Sequence, residues 1–241
     1  MKDFVLPEHQ IIAEALSRMD REYLVANECW FGGGTAIVLK LGEYRRSLDV
    51  DFLCASSDGY RELRSAATER GLKAFFPESI KAVRDFRIDQ YGLRTVFEFR
   101  EQLIKFEIIR EGRIALNGRM DADLLVPALL PEDMFAEKLL ANADRGQDRS
   151  VAYRDAFDLG VLVEHFGAIP GAAVEKATAA YGADIGRKLA WVVNRLQDAE
   201  ERNAAAHSLM MRPDRALRAI CELRRETVRL WPELEVRSDD I

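Results

Sequence analysis

The sequence predicts an α/β fold of the α+β type, in which a mixed sheet with flanking helices is followed by a helical C-terminal domain. Segments that alternate apolar and polar residues, as strands do, occur only in the first half of the chain. From Pro131 onward the apolar residues recur only at helical spacing. We therefore expect a first domain at residues 1–125 and a second at residues 126–241, with the boundary between Asp123 and Pro131.

The composition is that of a globular protein and excludes several classes. Of 241 residues, 48% are hydrophobic and 32% charged, which is enough apolar material for a core. No run approaches the roughly 20 apolar residues of a membrane span, and we find no secretory signal. Three cysteines are too few for a disulfide framework or a zinc site, so we expect a cytoplasmic protein. The net charge of −6 argues against a general nucleic-acid coating protein but leaves room for a local basic groove.

The first part of the chain contains two predicted helices and one short strand. The strand ends in three consecutive glycines, which are typical of a tight turn. Thr35 follows this turn and is placed to cap the second helix. In chain order we predict a helix, a strand, a glycine turn, a helix and a polar loop at residues 9–27, 29–31, 32–34, 35–41 and 42–47.

The remaining predicted elements follow from the same periodicities. Residues 48–53 alternate as a strand with two faces, and residues 60–70 form a helix closed by Gly71. Three further strands are predicted at residues 87–90, 94–100 and 103–110, the last two as antiparallel neighbours. Helices of the second domain are predicted at residues 132–144, 152–165, 173–181, 186–201 and 214–230.

Two acids on the strand at residues 48–53 are the first candidates for chemistry. Asp49 and Asp51 lie two residues apart, so their side chains point to one face with Cα atoms roughly 7 Å apart. Two carboxylates so close repel each other unless a cation lies between them. Mg²⁺ is bound by one or two carboxylates together with substrate phosphates and water. The alternative is a strand face on which both acids are simply solvated.

Two other features bear on this pair. The glycine turn exposes backbone N–H groups at the start of a helix, where phosphates bind readily, although three glycines are also common in ordinary loops. Glu107 interrupts an apolar strand and becomes a third acidic ligand if that strand neighbours the Asp49 strand. Its alternative is an edge-strand ion pair with Lys105. The histidines are isolated and are interpreted as surface or core residues: His9, His165 and His207.

Two ordered blocks of residues resemble a known family. The first block consists of Gly33–Ala36, Arg46–Ser47 and Asp49–Phe52. The second consists of Ala136–Leu139, Arg149 and Arg154–Leu159, similar to an A-x-K-L helix followed by an R-D-x-x-D-L helix. Together they resemble the nucleotidyltransferase AbiEii/AbiGii toxin family, which contains minimal nucleotidyltransferases like DNA polymerase β. The likeness spans roughly residues 30–159, and it implies the fold predicted above.

The resemblance implies a role for each matched residue. Asp49 and Asp51 would hold Mg²⁺, or Mn²⁺, with one cation bridging the triphosphate and a second activating the acceptor hydroxyl. Glu107 would be the third metal ligand, in a position where many nucleotidyltransferases have aspartate. The residues implied to bind the incoming nucleoside triphosphate (NTP) are Gly33, Gly34, Ser47 and Lys138.

The second block has two interpretations at each charged residue. Lys138 is expected to contact the triphosphate, but its position also suits a surface lysine whose stem covers apolar surface. Asp155 is favoured as the acid of the site, with Asp158 as its organiser. The alternative for Asp158 is an ion pair with Arg154, one helical turn away.

The resemblance implies a toxin that transfers a nucleoside monophosphate from an NTP to a hydroxyl and releases pyrophosphate. The acceptor would be the 3′ end of tRNA, and a separate antitoxin protein would be the partner. Arginines between Arg212 and Arg229 would give a basic helix face for RNA, unless they form an ordinary solvated surface. The alternatives are transfer to a small molecule or a protein, and a nucleotide-binding module without catalysis.

Overall fold

The protein consists of two compact units. The computed structural model describes residues 3–78 and 80–237. The first unit contains the described residues up to Glu43 together with Ser47–Leu130, and the second contains Tyr44–Arg46 and the chain from Pro131 onward. The chain thus divides between Leu130 and Pro131. The mixed sheet with flanking helices and the helical C-terminal half confirm the predicted fold class.

The first unit begins with two helices where the sequence predicted one. Helix α1 is Pro7–Ser17 and helix α2 is Arg21–Ala26. The continuous helix predicted at residues 9–27 is wrong because α1 ends at Ser17 and Asp20 is the N-cap of a second helix. Its carboxylate accepts a hydrogen bond from the Tyr23 N–H at 3.0 Å, which starts α2 as a new helix.

Eight strands form one mixed sheet in the described residues. They are β1 (Cys29–Gly32), β2 (Val50–Cys54), β3 (Lys81–Ala82), β4 (Arg87–Ile88), β5 (Gly92–Phe99), β6 (Gln102–Arg110), β7 (Gly118–Met120) and β8 (Pro127–Leu129). The order is β3-β5-β6-β2-β1-β8-β7, with β4 also paired to β5. β5 and β6 are antiparallel neighbours as predicted, while β2 runs parallel to β6. β3, β7 and β8 were not predicted because two or three residues are too short to show a period.

Helix α3 (Gly33–Lys40) follows β1 directly, and α4 (Ser57–Arg70) follows β2. The predicted cap at Thr35 is wrong, since α3 begins two residues earlier and Gly32 occupies the cap position. Gly71 closes α4 with a positive φ of 58°, as expected. The core of the unit combines α1 and α4 with one face of the sheet, where the rings of Phe52 and Phe106 meet edge to face.

The second unit is helical throughout its described part from Pro131 onward. Its helices are α5 (Pro131–Arg145), α6 (Arg154–Phe166), α7 (Gly171–Tyr181), α8 (Asp184–Arg195), α9 (Ala199–Ser208) and α10 (Pro213–Leu230). The helix predicted at residues 186–201 is in fact two, because the Asp198 carboxylate caps α9 by accepting from the Glu201 N–H. Helix α6 contacts both α5 and α10. Gly160 permits the close approach of α10, since a Cβ there would lie 2.0 Å from the Ala219 carbonyl oxygen.

Among the helices of residues 3–78 and 80–237, none is long and apolar enough to cross a membrane.

Candidate active site

The glycine turn and Asp51 form the centre of the site in the first unit. Gly33 is the first residue of α3 and has a φ of +68°, a conformation that favours glycine. A Cβ on Gly33 would lie 2.7 Å from Oδ2 of Asp51, so a side chain there would collide with the carboxylate. The cross-strand register explains this proximity, because Gly32 of β1 pairs with Asp51 of β2. The carboxylate therefore lies against the turn that opens α3, where the helix dipole favours negative charge.

Asp49 lies just ahead of β2, which starts at Val50 rather than at Leu48. Both Asp49 and Asp51 are half-buried. They are therefore neither fully solvated nor enclosed in the core. This partial exposure suits carboxylates that bind a cation and a substrate from one side.

Glu107 is the register neighbour of Asp51 across the parallel β2–β6 pair. The condition for a third acidic residue beside the pair is thus met. Of the alternative, the edge position is wrong because β6 lies between β5 and β2, but the ion pair with Lys105 is present. Glu107 already has cationic partners, however. Nε of Arg94 donates a hydrogen bond to it, and Nζ of Lys105 lies 3.7 Å from its Oε2. No cluster of three or more His, Cys, Asp or Glu side chains with metal-binding geometry occurs among the described residues.

Ser47 is held by two residues from elsewhere in the first unit. Its hydroxyl lies 2.9 Å from that of Thr35, in the first turn of α3. Its backbone N–H donates to Nε2 of His9 at 3.4 Å, while Nδ1 of His9 bonds Glu43 at 2.9 Å. Burial would raise the pKa of Glu43, but hydrogen bonds from the Val5 and Leu6 N–H groups and from His9 lower it.

The sequence did not indicate that His9 forms hydrogen bonds with Ser47 and Glu43. It is fully buried, so of the two interpretations offered for it the core is correct. Accepting a hydrogen bond at Nε2 requires that nitrogen to be unprotonated, which places the proton on Nδ1 toward Glu43. The pairing links residues 34 positions apart in the chain, and no local pattern marks it.

Lys138, on α5, has a buried position in the second unit. Only 4% of its surface is exposed, so the interpretation as a surface lysine is wrong. Its Nζ lies 2.8 Å from Oδ1 of Asp155 and 2.7 Å from Oδ2 of Asp158, both on α6. Arg145 donates two further hydrogen bonds to Asp155, at 2.7 and 2.9 Å.

Asp158 is the centre of this cluster and is fully buried. Arg45 binds it with two hydrogen bonds, from Nε at 2.7 Å and from one NH2 group at 2.8 Å. The Tyr44 hydroxyl donates a third at 2.6 Å. The alternative pairing of Asp158 with Arg154 is therefore wrong. The loop predicted at residues 42–47 is not uniformly polar and solvated either, because Tyr44 and Arg45 are buried in this cluster.

The charges in the cluster stabilise one another. Burial would raise the pKa of Asp155, but Lys138 and Arg145 lower it below its usual range. Burial acts in the same direction on Asp158, and there Arg45 and Lys138 lower the pKa. Burial and the Asp158 charge raise the pKa of Tyr44 well above its ordinary value, so its hydroxyl stays protonated as a donor.

The arginines of the predicted basic face on α10 and its N-terminal flank are engaged in hydrogen bonds or ion pairs. Five of them contact carboxylates, and Arg224 donates to the Arg237 carbonyl oxygen. The five pairs are Arg212–Asp214, Arg215–Glu164, Arg218–Asp214, Arg225–Glu222 and Arg229–Glu226. These pairings favour the interpretation of α10 as a charged helix surface over that of a basic RNA face.

A mixed sheet with flanking helices, and an acidic pair beside a glycine turn, are the features expected of a nucleotidyltransferase. Comparison with protein families supports this class: the model of the family described as "Nucleotidyl transferase AbiEii toxin, Type IV TA system" matches residues 14–226. The chain belongs to this family of toxins from type IV toxin–antitoxin (TA) systems. Membership implies an NTP substrate and an antitoxin partner.

Three solved structures have a similar fold. A Helicobacter pylori protein assigned as a nucleotidyltransferase is 20% identical, with a TM-score of 0.57 over 95% of this chain and 100% of that one. JHP933 from Helicobacter pylori is 17% identical, with a TM-score of 0.56 over 96% of both chains. An antigenic nucleotidyltransferase-like protein from Paracoccidioides brasiliensis is 17% identical, with a TM-score of 0.50 over 82% and 92%. A search of curated proteins returned no match.

Proposed function

We propose that this nucleotidyltransferase uses Mg²⁺ to transfer a nucleoside monophosphate from an NTP to the 3′ end of tRNA. One observation carries the metal-dependent part: the Asp51 carboxylate lies against the glycine turn at the N-terminus of α3, with Asp49 two residues before it. A turn that favours phosphate then adjoins carboxylates that favour a cation. An NTP with its divalent cation needs both.

The donor set fits one such cation. Asp49 and Asp51 offer hard carboxylate oxygens, and Mg²⁺ commonly takes one or two carboxylates and completes its shell with phosphates and water. Mn²⁺ would fit the same oxygens. When bound, the cation supplies positive charge that offsets the charge developing on the phosphoryl oxygens. The backbone N–H groups of Gly33 and Gly34 and the Ser47 hydroxyl would bind the triphosphate. The acceptor hydroxyl then displaces pyrophosphate from the α-phosphorus.

Lys138 and Asp155 take their proposed roles from the family resemblance, and the cluster in the second unit is compatible with them. An ammonium group has three donors, and the contacts with Asp155 and Asp158 use two. One N–H of Lys138 remains for a phosphate oxygen. Asp155, also held by Arg145, would fix the ammonium in position.

The proposed tRNA acceptor is taken from the family resemblance. Some relatives within that resemblance act on the 3′ end of tRNA. The net charge of −6 and the paired arginines around α10 favour the alternative of a small-molecule or protein acceptor. A nucleotide-binding module without catalysis is the third alternative, and the experiment below tests it.

A labelling experiment tests all of these functions together. The purified protein is incubated with Mg²⁺, bacterial tRNA and each α-labelled NTP, and the products are separated on a denaturing gel. We expect label on tRNA that falls at least about 100-fold in Asp49→Asn and Asp51→Asn. Asp58→Asn is the matched control, since Asp58 is an exposed aspartate of the same unit.

The other outcomes discriminate between the alternatives. Label on the protein itself would identify a protein target. NTP binding without any labelled product would point to a small-molecule acceptor or an inactive module. Equal activity of Asp51→Asn and Asp58→Asn would contradict the assignment of the site.

A further inference from the structure

Four register-paired residues form a row across one face of the sheet in the first unit. Gly32 of β1 pairs with Asp51 of β2, Asp51 pairs with Glu107 of β6, and Glu107 pairs with Arg94 of β5. Residues paired in this way across neighbouring strands project to the same face. The neighbours of Glu107 in the row are therefore an acid on one side and a guanidinium on the other.

The guanidinium of Arg94 is fixed by two acids. Its Nε donates to Glu107, and one NH1 group lies 2.9 Å from Oδ2 of Asp89. Asp89 is fixed in turn, because its Oδ1 accepts from the Tyr91 and Gly92 N–H groups at 2.8 and 3.0 Å. An arginine guanidinium keeps its positive charge in proteins. Arg94 is thus a cation on the side of Glu107 away from Asp51.

We propose that Arg94 takes the place of a second divalent cation at Glu107, so that the site binds a single cation through Asp49 and Asp51. This inference rests on the proposed function for the presence of that one cation. It changes the role of Glu107, which the resemblance implied to be a metal ligand, to that of a carboxylate held by Arg94.

The contact between Arg94 and Glu107 disfavours a second cation at this carboxylate. A divalent ion bound to Glu107 would have to approach the guanidinium, and like charges at such distances repel strongly.

Binding of Mn²⁺ alone to the full chain tests the inference without relying on activity. The electron paramagnetic resonance signal of free aqueous Mn²⁺ gives both the affinity and the number of bound ions. We expect one ion per wild-type chain, an affinity within about twofold for Glu107→Gln, and a loss of about tenfold or more for Asp51→Asn. Arg94→Gln should bind a second ion or bind about tenfold more tightly, and the added Glu107→Gln substitution should abolish that gain.

Two controls separate a local effect of Arg94 from a change in net charge. Arg94→Lys keeps the positive charge and should behave as wild type. Arg87→Gln removes an equal charge from the exposed β4 residue paired with Arg94 and should not gain a second ion. A thermal melt of each variant establishes that it is folded. If Arg94→Gln does not fold, the Mn²⁺ affinity of Glu107→Gln alone tests the inference.

The outcomes separate this inference from the proposed function. If Glu107→Gln weakens Mn²⁺ binding as much as Asp51→Asn, Glu107 is a metal ligand and the inference is wrong. The same conclusion follows if the wild type binds two ions. If neither the wild type nor Arg94→Gln binds Mn²⁺, both the inference and the metal-dependent mechanism fail.

Discussion

Replacement of Asp158 by asparagine should destabilise the protein more than any exposed aspartate substitution. Asp158 is fully buried and accepts hydrogen bonds or ion pairs from Arg45, Lys138 and Tyr44. Removing one partner of a buried ion pair costs about 3–5 kcal/mol, because the other charge is left uncompensated. Asparagine keeps one acceptor oxygen, and Lys138 keeps Asp155 as an ion-pair partner. We therefore expect the free energy of unfolding to fall by about 3 kcal/mol, at the lower end of this range. For a chain of this size that corresponds to a fall in melting temperature of roughly 6–12 °C.

Thermal denaturation followed by circular dichroism measures this effect. Asp184→Asn is the matched control, since Asp184 is on the surface of the same unit and pairs with Arg187 one helical turn away. It should cost less than about 1 kcal/mol. In the Arg45→Met background, Asp158→Asn should cost about 2 kcal/mol less than in the wild type, because the two residues interact directly. A melting temperature for Asp158→Asn no lower than that of Asp184→Asn would refute the cluster as a source of stability.

Three further predictions concern pH, the glycine turn and His9. Because the folded-state pKa values of Asp155 and Asp158 are lowered, their contribution to stability is present above the unfolded pKa of about 3.9 and is lost as the pH falls below it. The melting temperature should therefore drop below about pH 4, and this slope should be shallower in Asp158→Asn. Gly33→Ala should abolish nucleotidyl transfer, because the added methyl group collides with Asp51. Gly42 also has a positive φ, of +89°, but has open space around it. Gly42→Ala should therefore lower the free energy of unfolding, measured by denaturant titration, by only about 1 kcal/mol of backbone strain. His9→Phe should raise the KM for NTP by displacing Ser47 while kcat falls less, and an unchanged KM would contradict a positioning role.

The parts of the fold that the sequence predicted are those encoded by local periodicity. The alternation in β5 and β6 identified both strands and their antiparallel pairing. Helical spacing after Pro131 identified the second unit. The helices predicted at residues 9–27 and 186–201 are each two helices in the structure. Both predictions were wrong for the same reason, because a cap such as Asp20 interrupts a helix without disturbing its apolar spacing.

The candidate acidic pair could be located from sequence because its chemistry is also local. Asp49 and Asp51 are two residues apart, and Gly33 precedes them by one helix and one loop. The partners of the remaining candidates are distant in the chain. Arg45 and Asp158 are 113 residues apart, and no periodic pattern records such a pairing. The same holds for the connection of His9 with Ser47, 38 residues away.

The position of Lys138 connects the stability of the second-unit cluster with its proposed chemistry. Its ammonium group contacts Asp155 and Asp158, and the same two carboxylates also bind Arg145 and Arg45. An ammonium group has three donors, so these two contacts leave one N–H that suits the binding of an anion. Lys138→Met should therefore reduce affinity for NTP while Asp155 and Asp158 keep their arginine partners and the protein stays folded. An unchanged NTP affinity in a folded Lys138→Met variant would leave the lysine with a structural role alone.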